Sequence, residues 1–224
     1  MTRAFSLLPL LAGFVLSGCA GLGTLNKAAT PSDLYSLTPK STFSSSLPRV
    51  SQQIVVEVPT ATAAVDTDQI AVMPNPLQVQ YLPGVRWVDR APLIIQSLMI
   101  ESFENSGRVG AVGRSTVGLR SDYTVVTDIR EFQARLPNNL PDGDAAQSAL
   151  EVHVRLNIKI IDDFSDHIVA SSSFEKLRVA SSDEMMDIAN AFDGALGSAM
   201  RDAVEWSIRK IHTHASRNPR PSIQ

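Results

Sequence analysis

The sequence predicts a single α+β domain in which two helices cover the apolar face of one antiparallel sheet. Residues 150–162 alternate between apolar and polar side chains, as in a strand with one buried face and one face in water. Residues 183–212 instead place apolar side chains three and four positions apart, which is typical of an amphipathic helix. With 224 residues, 44% of them hydrophobic and 19% charged, the chain has enough apolar surface for a packed core.

Charge and aromatic content argue against a nucleic-acid binder. The chain holds 20 basic and 23 acidic residues, a net charge of −3, whereas nucleic-acid-binding domains normally carry a basic excess. Aromatic residues make up only 6% of the chain, too few for the stacking platforms that bind single strands. The chain has one cysteine, so it forms no internal disulfide and burial of apolar surface must hold the fold.

The first residues have the layout of an export signal. A basic residue precedes a dozen or so mostly apolar residues, a stretch shorter than the ~20 that a transmembrane helix needs. The next four residues resemble the bacterial lipobox: Leu16, Ser17, Gly18 and Cys19. Small side chains let a signal peptidase reach the backbone, and the cysteine sulfur is the nucleophile that takes up a diacylglycerol. We therefore expect residues 1–18 to be a lipoprotein signal peptide and Cys19 to be lipidated.

Acylation of Cys19 would fix the chain to a membrane. One buried acyl chain binds only marginally, whereas two or more anchor stably, at about 0.8 kcal/mol per buried methylene. Lipoproteins retained at the inner membrane of Gram-negative bacteria commonly have aspartate after the cysteine, and this chain has Ala20. We therefore expect a lipid-anchored protein on the periplasmic face of the outer membrane. The alternative is that Cys19 is an ordinary small apolar residue near an uncleaved N-terminus.

The first part of the predicted domain consists of short elements. Small and polar residues at 19–33 predict a flexible tether to the lipid. Residues 60–67 have a similar composition and are expected to form a turn. The runs that flank Pro74-Asn75-Pro76 predict a hairpin with its prolines at the edges. Short strands are expected at four places: 35–37, 54–58, 69–73 and 77–82.

A helix is expected directly after Asp89, its proposed N-cap. Pro92 suits the first turn, where a missing N–H costs nothing, and Gly107 is a natural stop. A short strand or turn should follow at 108–113. This helix is the first of the two that would cover the sheet.

The second part of the predicted domain consists of longer elements. Ser181 and Glu184 match a capping box at the start of the helix at 183–212. Three strands are expected before that helix: 123–132, 150–162 and 167–179.

Two glycines interrupt the middle of the second helix. Gly194 and Gly197 weaken it and would permit a close approach to the sheet.

The folded domain is expected to span residues 34–212. Residues 213–224 are expected to form a flexible C-terminal tail.

Motifs for enzymatic chemistry do not occur in the sequence. We find no nucleophile elbow, phosphate-binding loop or paired-cysteine motif, so no catalytic residue is proposed and no cofactor is expected. His212 and His214 stand two apart near the end of the second helix, and two such ligands rarely make a metal site. His153 falls on the polar face of its strand, where solvation or hydrogen bonding is expected. The sequence therefore predicts a protein that is not an enzyme and that binds no metal.

One loop combines the residue types found at protein interfaces. Arg86, Trp87 and Arg90 precede the first helix, and tryptophan and arginine are enriched at interface hot spots. These three residues form a candidate partner interface. For Trp87 we favour the alternative that it packs over the core beneath the start of the helix.

Five short segments follow the lipobox in a distinctive order. They are Tyr35-Ser36-Leu37, Ile-Val-Val-Glu-Val-Pro at 54–59, Asp-Thr-Asp-Gln-Ile-Ala-Val at 66–72, the stretch from valine to tryptophan at 79–87, and Ser106-Gly107. In this order they resemble the ABC-type transport auxiliary lipoprotein component family, over roughly residues 16–210. Because each motif is short and degenerate, the resemblance rests on their order.

The resemblance implies a non-enzymatic periplasmic lipoprotein that works with an ABC permease, its ATPase and a mammalian-cell-entry (MCE) domain protein. Such systems move phospholipid or other hydrophobic molecules between the inner and outer membranes. The family has no catalytic residues to carry over, and only Cys19 transfers as a functional position. The oligomeric state stays open, with a homo-oligomer among the alternatives. Two alternatives stay open: an outer-membrane assembly lipoprotein that plugs or chaperones a β-barrel, and a lipoprotein hydrolase, which needs a nucleophile and a base that we do not find.

Overall fold

The computed structural model describes residues 31–115, 120–137 and 149–219. Within these ranges the chain forms nine strands and two helices around one hydrophobic core, so the described part folds as a single domain. The strands are β1 (Asp33–Tyr35), β2 (Val50–Val56), β3 (Thr60–Ala61), β4 (Gln69–Asn75), β5 (Gln78–Trp87), β6 (Val109–Arg114), β7 (Tyr123–Arg135), β8 (Glu151–Asp162) and β9 (His167–Val179). The helices are α1 (Ala91–Asn105) and α2 (Met185–Arg217).

Strand β7 lies at the centre of the sheet. On one side it pairs along its whole length with antiparallel β8, and β8 pairs in the same sense with β9. On its other side it is met in turn by β2, β3 and β4, all parallel to it. Beyond β2 the sheet continues with β6, and beyond β4 it continues with β5 and then β1.

The expected antiparallel sheet is therefore wrong in part, because the sheet is mixed. The prediction of three long strands is confirmed, and β7, β8 and β9 form an antiparallel meander. The parallel pair of β2 and β6 is joined by a long connection that contains β3, the β4–β5 hairpin and α1, and a crossover connection of this kind can return the chain in the same direction. Side-chain alternation reports which face of a strand is buried, and it carries no information about the direction of the neighbouring strand.

The short strands differ from the predicted ones mainly at their ends. The predicted hairpin is confirmed, with β4 and β5 antiparallel and Asn75 opposite Gln78. Strand β2 begins at Val50, four residues earlier than expected, and the segment expected to be a turn contains the two-residue strand β3. Strand β1 is three residues long and shares only Tyr35 with the predicted strand.

The alternation in β8 separates the two faces of the sheet. Its inward side chains are fully buried against α2 and the rest of the core: Val152, Val154, Leu156, Ile158 and Ile160. The core side chains of α2 recur at helical spacing, as predicted, and include Ile188, Phe192, Leu196, Ala199 and Ala203. Helix α1 contributes Ile95, Met99 and Phe103 to the same core. Both helices thus pack into one core with the sheet.

The N-cap of helix α1 lies one residue after the predicted N-cap. Arg90 rather than Asp89 is the N-cap, and no side chain caps the helix. The Asp89 carboxylate instead accepts a hydrogen bond from the backbone N–H of Arg90 at 2.7 Å. Pro92 lies in the first turn, and Gly107 follows the helix with φ of +59°, as expected for a glycine that ends a helix.

We expect Gly107→Ala to destabilise the domain by about 1 kcal/mol, because a Cβ is disfavoured in the left-handed region. Nothing lies within 4 Å of the added Cβ, so the loss would come from the backbone alone. Gly113→Ala is the matched control, since its Cβ also meets open space and its φ is ordinary. Urea unfolding of both variants would measure the effect, and equal stabilities would contradict the prediction.

Helix α2 lacks the predicted capping box. Glu184 is the N-cap, and neither it nor Ser181 makes a side-chain capping bond. Ser182 bonds to the start of the helix instead. Its hydroxyl accepts a hydrogen bond from the Glu184 N–H at 3.1 Å and donates one to the Asp187 carboxylate at 2.6 Å. Spacing alone identified the start of the helix but selected the wrong serine.

Helix α2 also extends to Arg217, five residues beyond the predicted end at His212. Two contacts stabilise the additional turns. The His214 ring lies against Tyr123 at the start of β7, with 2.9 Å between Nδ1 and the phenol oxygen. Asn218 then closes the helix through backbone and side-chain bonds to the His214 carbonyl. Tertiary contact therefore extends a helix whose polar sequence does not by itself predict the extra turns.

The predicted close approach to the sheet is confirmed at one of the two helix glycines. A Cβ on Gly194 would lie 2.0 Å from Nη1 of Arg178 on β9, so the side chain of Arg178 crosses the helix at this point. At Gly197 the nearest atom to such a Cβ is on Lys40, at 3.9 Å.

Candidate partner-binding surface

The predicted lipidation site lies outside the described residues. This holds for Cys19 and for the lipobox residues Leu16, Ser17 and Gly18. It also holds for most of the predicted tether at 19–33, of which the described chain includes only the last three residues. Acylation of Cys19 therefore stays a prediction.

The first strand after the tether pairs with the segment that the sequence singled out. Strand β1 is parallel to β5, with Leu34 beside Arg86 and Tyr35 beside Trp87. The carbonyl of Tyr35 also accepts a hydrogen bond from the N–H of Val88 at 3.0 Å. The tether thus enters the domain directly beside the candidate interface.

Trp87 packs in the core, and its burial removes it from the candidate interface. Its side chain is only 2% exposed. The indole lies 5.8 Å from the ring of Phe132 on β7 and 5.1 Å from the ring of Phe192 on α2, measured between ring centroids. The favoured alternative is confirmed as far as packing in the core is concerned, and the ring contacts of Trp87 are with β7 and α2. Trp87 joins the β1–β5 edge of the sheet to the core through aromatic contacts.

Arg86 and Arg90 lie at the surface, and each is paired with a carboxylate. Nη1 of Arg86 lies 3.0 Å from both carboxylate oxygens of Asp68, and Arg90 pairs with Asp66. All four side chains are about one third to one half exposed, so each pair contributes less than about 1 kcal/mol to stability. A partner carboxylate could therefore replace either aspartate at small cost.

Two exposed apolar residues that the sequence analysis missed accompany these arginines. Leu34 is 64% exposed and Val88 is 53% exposed. Strand alternation could have identified Val88: if Trp87 points inward, the residues on either side of it point outward. We define the β1–β5 surface as Leu34, Arg86, Val88 and Arg90. It combines exposed apolar area with two exchangeable guanidinium groups, the chemistry of a protein-binding surface.

The other face of the β7–β8–β9 meander carries paired charges. Nε2 of His153 lies 2.6 Å from Glu175 on the neighbouring strand, which confirms that this histidine is hydrogen-bonded. Arg155 similarly contacts Glu131 at 2.8 Å. These pairs join adjacent strands across the polar face of the meander.

The described residues hold neither a metal-binding cluster nor a membrane-spanning helix. No cluster of three or more histidine, cysteine, aspartate or glutamate side chains within them could hold a metal ion. His214 contacts Tyr123, and His212 is exposed on the other side of the helix end. Neither α1 nor α2 is both long enough and apolar enough to cross a membrane.

Comparison with known proteins gives one family match that spans most of the domain. The model of the ABC-type transport auxiliary lipoprotein component family matches residues 35–204. The crystal structure of protein XCC0632 from Xanthomonas campestris superposes with a TM-score of 0.74 at 29% identity, covering 83% of this chain and 99% of that one. A second crystal structure, of an uncharacterized protein, gives a TM-score of 0.58 at 12% identity, covering 81% and 99% of the two chains, and so shares the fold.

A curated relative is longer than this chain. Uncharacterized protein bll6063 of Bradyrhizobium diazoefficiens is 25% identical over 197 residues, which cover 86% of this chain and 50% of the relative. The chain thus spans about half the length of the curated relative it matches.

Proposed function

Because this chain belongs to the ABC-type transport auxiliary lipoprotein component family, we propose that it is a non-enzymatic, lipid-anchored accessory of an ABC/MCE-type intermembrane lipid transport system. In this role it docks the transport complex at the periplasmic face of the outer membrane. The observation that carries the proposal is the family match over residues 35–204, which includes α1, part of α2, eight of the nine described strands whole and the last residue of β1. The lipobox supplies the anchor that an auxiliary lipoprotein requires.

The proposed mechanism is docking at high local concentration. Acyl chains on Cys19 would hold one end of the chain in the leaflet, and the tether would let the domain explore only the adjacent space. Confinement of this kind raises the effective concentration of a binding domain without any new contact. A partner that crosses the periplasm would thus meet the domain at the periplasmic leaflet of the outer membrane. Ala20 after the cysteine supports the outer membrane as the site of anchoring.

The β1–β5 surface is our candidate for the contact with the MCE-domain partner. It lies at the edge of the sheet where the tether enters, and it presents Leu34 and Val88 beside the two arginines. Arginine side chains can exchange Asp66 and Asp68 for acidic groups of a partner while the apolar side chains are covered. A partner surface with carboxylates around an apolar centre would fit this arrangement.

A photo-crosslinking amino acid at position 88 tests the proposal. We expect it to link the protein to the MCE-domain subunit in cells that also express an ABC/MCE-type transport system, because Val88 is exposed on the β1–β5 surface. Ile168 is the matched control: it is a similarly exposed β-branched residue, and it lies on β9 at the opposite edge of the sheet. Mass spectrometry of the linked products identifies the partner.

Two outcomes would contradict this assignment. Equal linking to the MCE-domain subunit from positions 88 and 168 would mean that the β1–β5 surface has no special role. Linking to a β-barrel protein, with none to the transport subunits, would favour the alternative of an assembly lipoprotein that plugs or chaperones a barrel.

A further inference from the structure

The hairpin formed by β4 and β5 carries no charged side chain except Arg86, which lies at the end of β5 far from the tip. From Gln69 to Val85 the sequence contains no aspartate, glutamate, lysine or arginine. At its tip Leu77 is 97% exposed, and Val79, two residues later, is also exposed. A leucine that gives up almost none of its surface to the fold has no evident part in the stability of the isolated domain.

The tip is held in a defined conformation. The side-chain oxygen of Asn75 accepts a hydrogen bond from the N–H of Leu77 at 3.1 Å, and the Asn75 amide donates to Gln78 at 2.9 Å. Pro74 and Pro76 restrict the backbone on either side of Asn75. The fold thus presents Leu77 on an ordered turn at the end of two paired strands.

The topology places this tip on the side from which the tether arrives. Strand β1 is parallel to β5, so the chain before Asp33 comes from the direction of the hairpin tip. Asp33 lies level with Val85, and 85 − 78 = 7 residues of β5 separate that level from Gln78. At ~3.3 Å per residue this is about 23 Å.

The tether has a matching length. Between Cys19 and Asp33 there are 33 − 19 = 14 residue steps. A flexible chain of this length has a root-mean-square end-to-end distance of about 20 Å. A lipid on Cys19 and the tip of the hairpin would therefore reach the same plane with the tether near its relaxed length.

The opposite end of the sheet offers a less suitable apolar group. Phe164, in the turn between β8 and β9, is 74% exposed. It stands among three acidic residues, Asp162, Asp163 and Asp166. Charged groups are costly to bring into a bilayer, so this turn is disfavoured as a membrane contact while the uncharged hairpin tip is suited to one.

We propose that the tip of the β4–β5 hairpin inserts Leu77 and Val79 into the interfacial region of the leaflet to which the domain is tethered. The inference rests on the proposed lipid anchoring and adds to it an orientation: the hairpin faces the lipid and the Phe164 turn faces away. A second contact beside the lipid anchor would fix the tilt of the domain. The β1–β5 surface would then be presented at a constant height above the leaflet.

Site-specific fluorescence tests the proposal on the full lipoprotein. With Cys19 acylated, Leu77→Cys introduces the one free thiol of the chain, and an environment-sensitive fluorophore can be attached there. The labelled protein is reconstituted into phosphatidylethanolamine–phosphatidylglycerol vesicles that contain lipids with nitroxide-labelled acyl chains. We expect a blue-shifted emission and several-fold stronger quenching at position 77 than at the control Phe164→Cys, which is also exposed and apolar.

Flotation of the same vesicles tests the lipid anchoring separately from the hairpin contact. Protein that floats with the lipid while the labels at 77 and 164 are equally unquenched would overturn the hairpin contact and leave the anchoring intact. Protein that does not float would overturn both. A third outcome would also overturn the membrane contact: the label at 77 is not quenched in vesicles and becomes shielded only when the MCE-domain subunit is added. That result would assign the hairpin to the MCE-domain partner.

Discussion

Trp87→Ala is expected to lower the free energy of unfolding by about 3–5 kcal/mol, the loss typical of removing a large aromatic side chain from a core. The indole is buried and contacts both Phe132 and Phe192, which themselves lie 5.1 Å apart. Its removal would leave a cavity where β5, β7 and α2 meet. Closing this cavity would require the β1–β5 edge of the sheet to move. Urea unfolding followed by far-ultraviolet circular dichroism would measure the change.

The second tryptophan of the chain provides a matched control for this experiment. Trp206 lies on α2, is partly buried at the edge of the core and contacts the ring of Phe174 at 5.6 Å. We expect Trp206→Ala to cost less than Trp87→Ala, about 1–2 kcal/mol, because part of the Trp206 side chain stays in contact with water. Similar losses for the two variants would show that Trp87 does not join the sheet edge to the core. Because Tyr35 and Val88 flank Trp87, the same loss would also loosen the strand into which the tether leads.

The burial of individual strands was easier to predict from the sequence than their pairing. Alternation in β8 identified its inward residues, all of which are buried. The same pattern could not show that β7 would meet β2, β3 and β4 in parallel, because strand direction depends on how the chain between two strands returns. A strand as short as β3 has no measurable period, so its segment was expected to be a turn.

Helix ends depended on contacts that are distant in the sequence. The turns of α2 beyond His212 are stabilised by Tyr123, more than 90 residues away, and no local signal reports that contact. At the other end, Ser181 and Ser182 are chemically equivalent, and only the backbone path decides which one bonds to the start of the helix. Helix existence was therefore predictable, while its limits were set by tertiary structure.

The candidate site was predictable only in part for a similar reason. Arg86, Trp87 and Arg90 were identified by residue type, and the structure separates them into two exposed arginines and one core aromatic. Leu34 was not identified, because an isolated leucine in a sequence normally belongs to the core. Its exposure follows from the pairing of β1 with β5, which turns Tyr35 inward and leaves Leu34 beside Arg86.

Loss of membrane attachment is the expected result of Cys19→Ala. The sulfur is the atom to which a diacylglycerol would be joined, and alanine has no nucleophile to replace it. To prevent an uncleaved apolar leader from holding the variant on the membrane, residues 1–18 should be exchanged for an export signal that the general signal peptidase removes. The folded domain should then be recovered almost entirely in the soluble periplasmic fraction, with unchanged circular dichroism, because the substitution removes none of the side chains of the core, which begins at Leu37.

The native chain and Ser17→Ala serve as controls for this variant. Alanine keeps a small residue two positions before the cysteine, so we expect Ser17→Ala to be processed and to stay with the membrane. Mass spectrometry of the N-terminal peptide should find Cys19 acylated in both controls. A native protein with an intact first methionine and an unmodified thiol would contradict the lipidation. A Cys19→Ala domain that stays membrane-bound would show instead that a contact within the domain, with the β4–β5 hairpin the foremost candidate, is enough to hold it there.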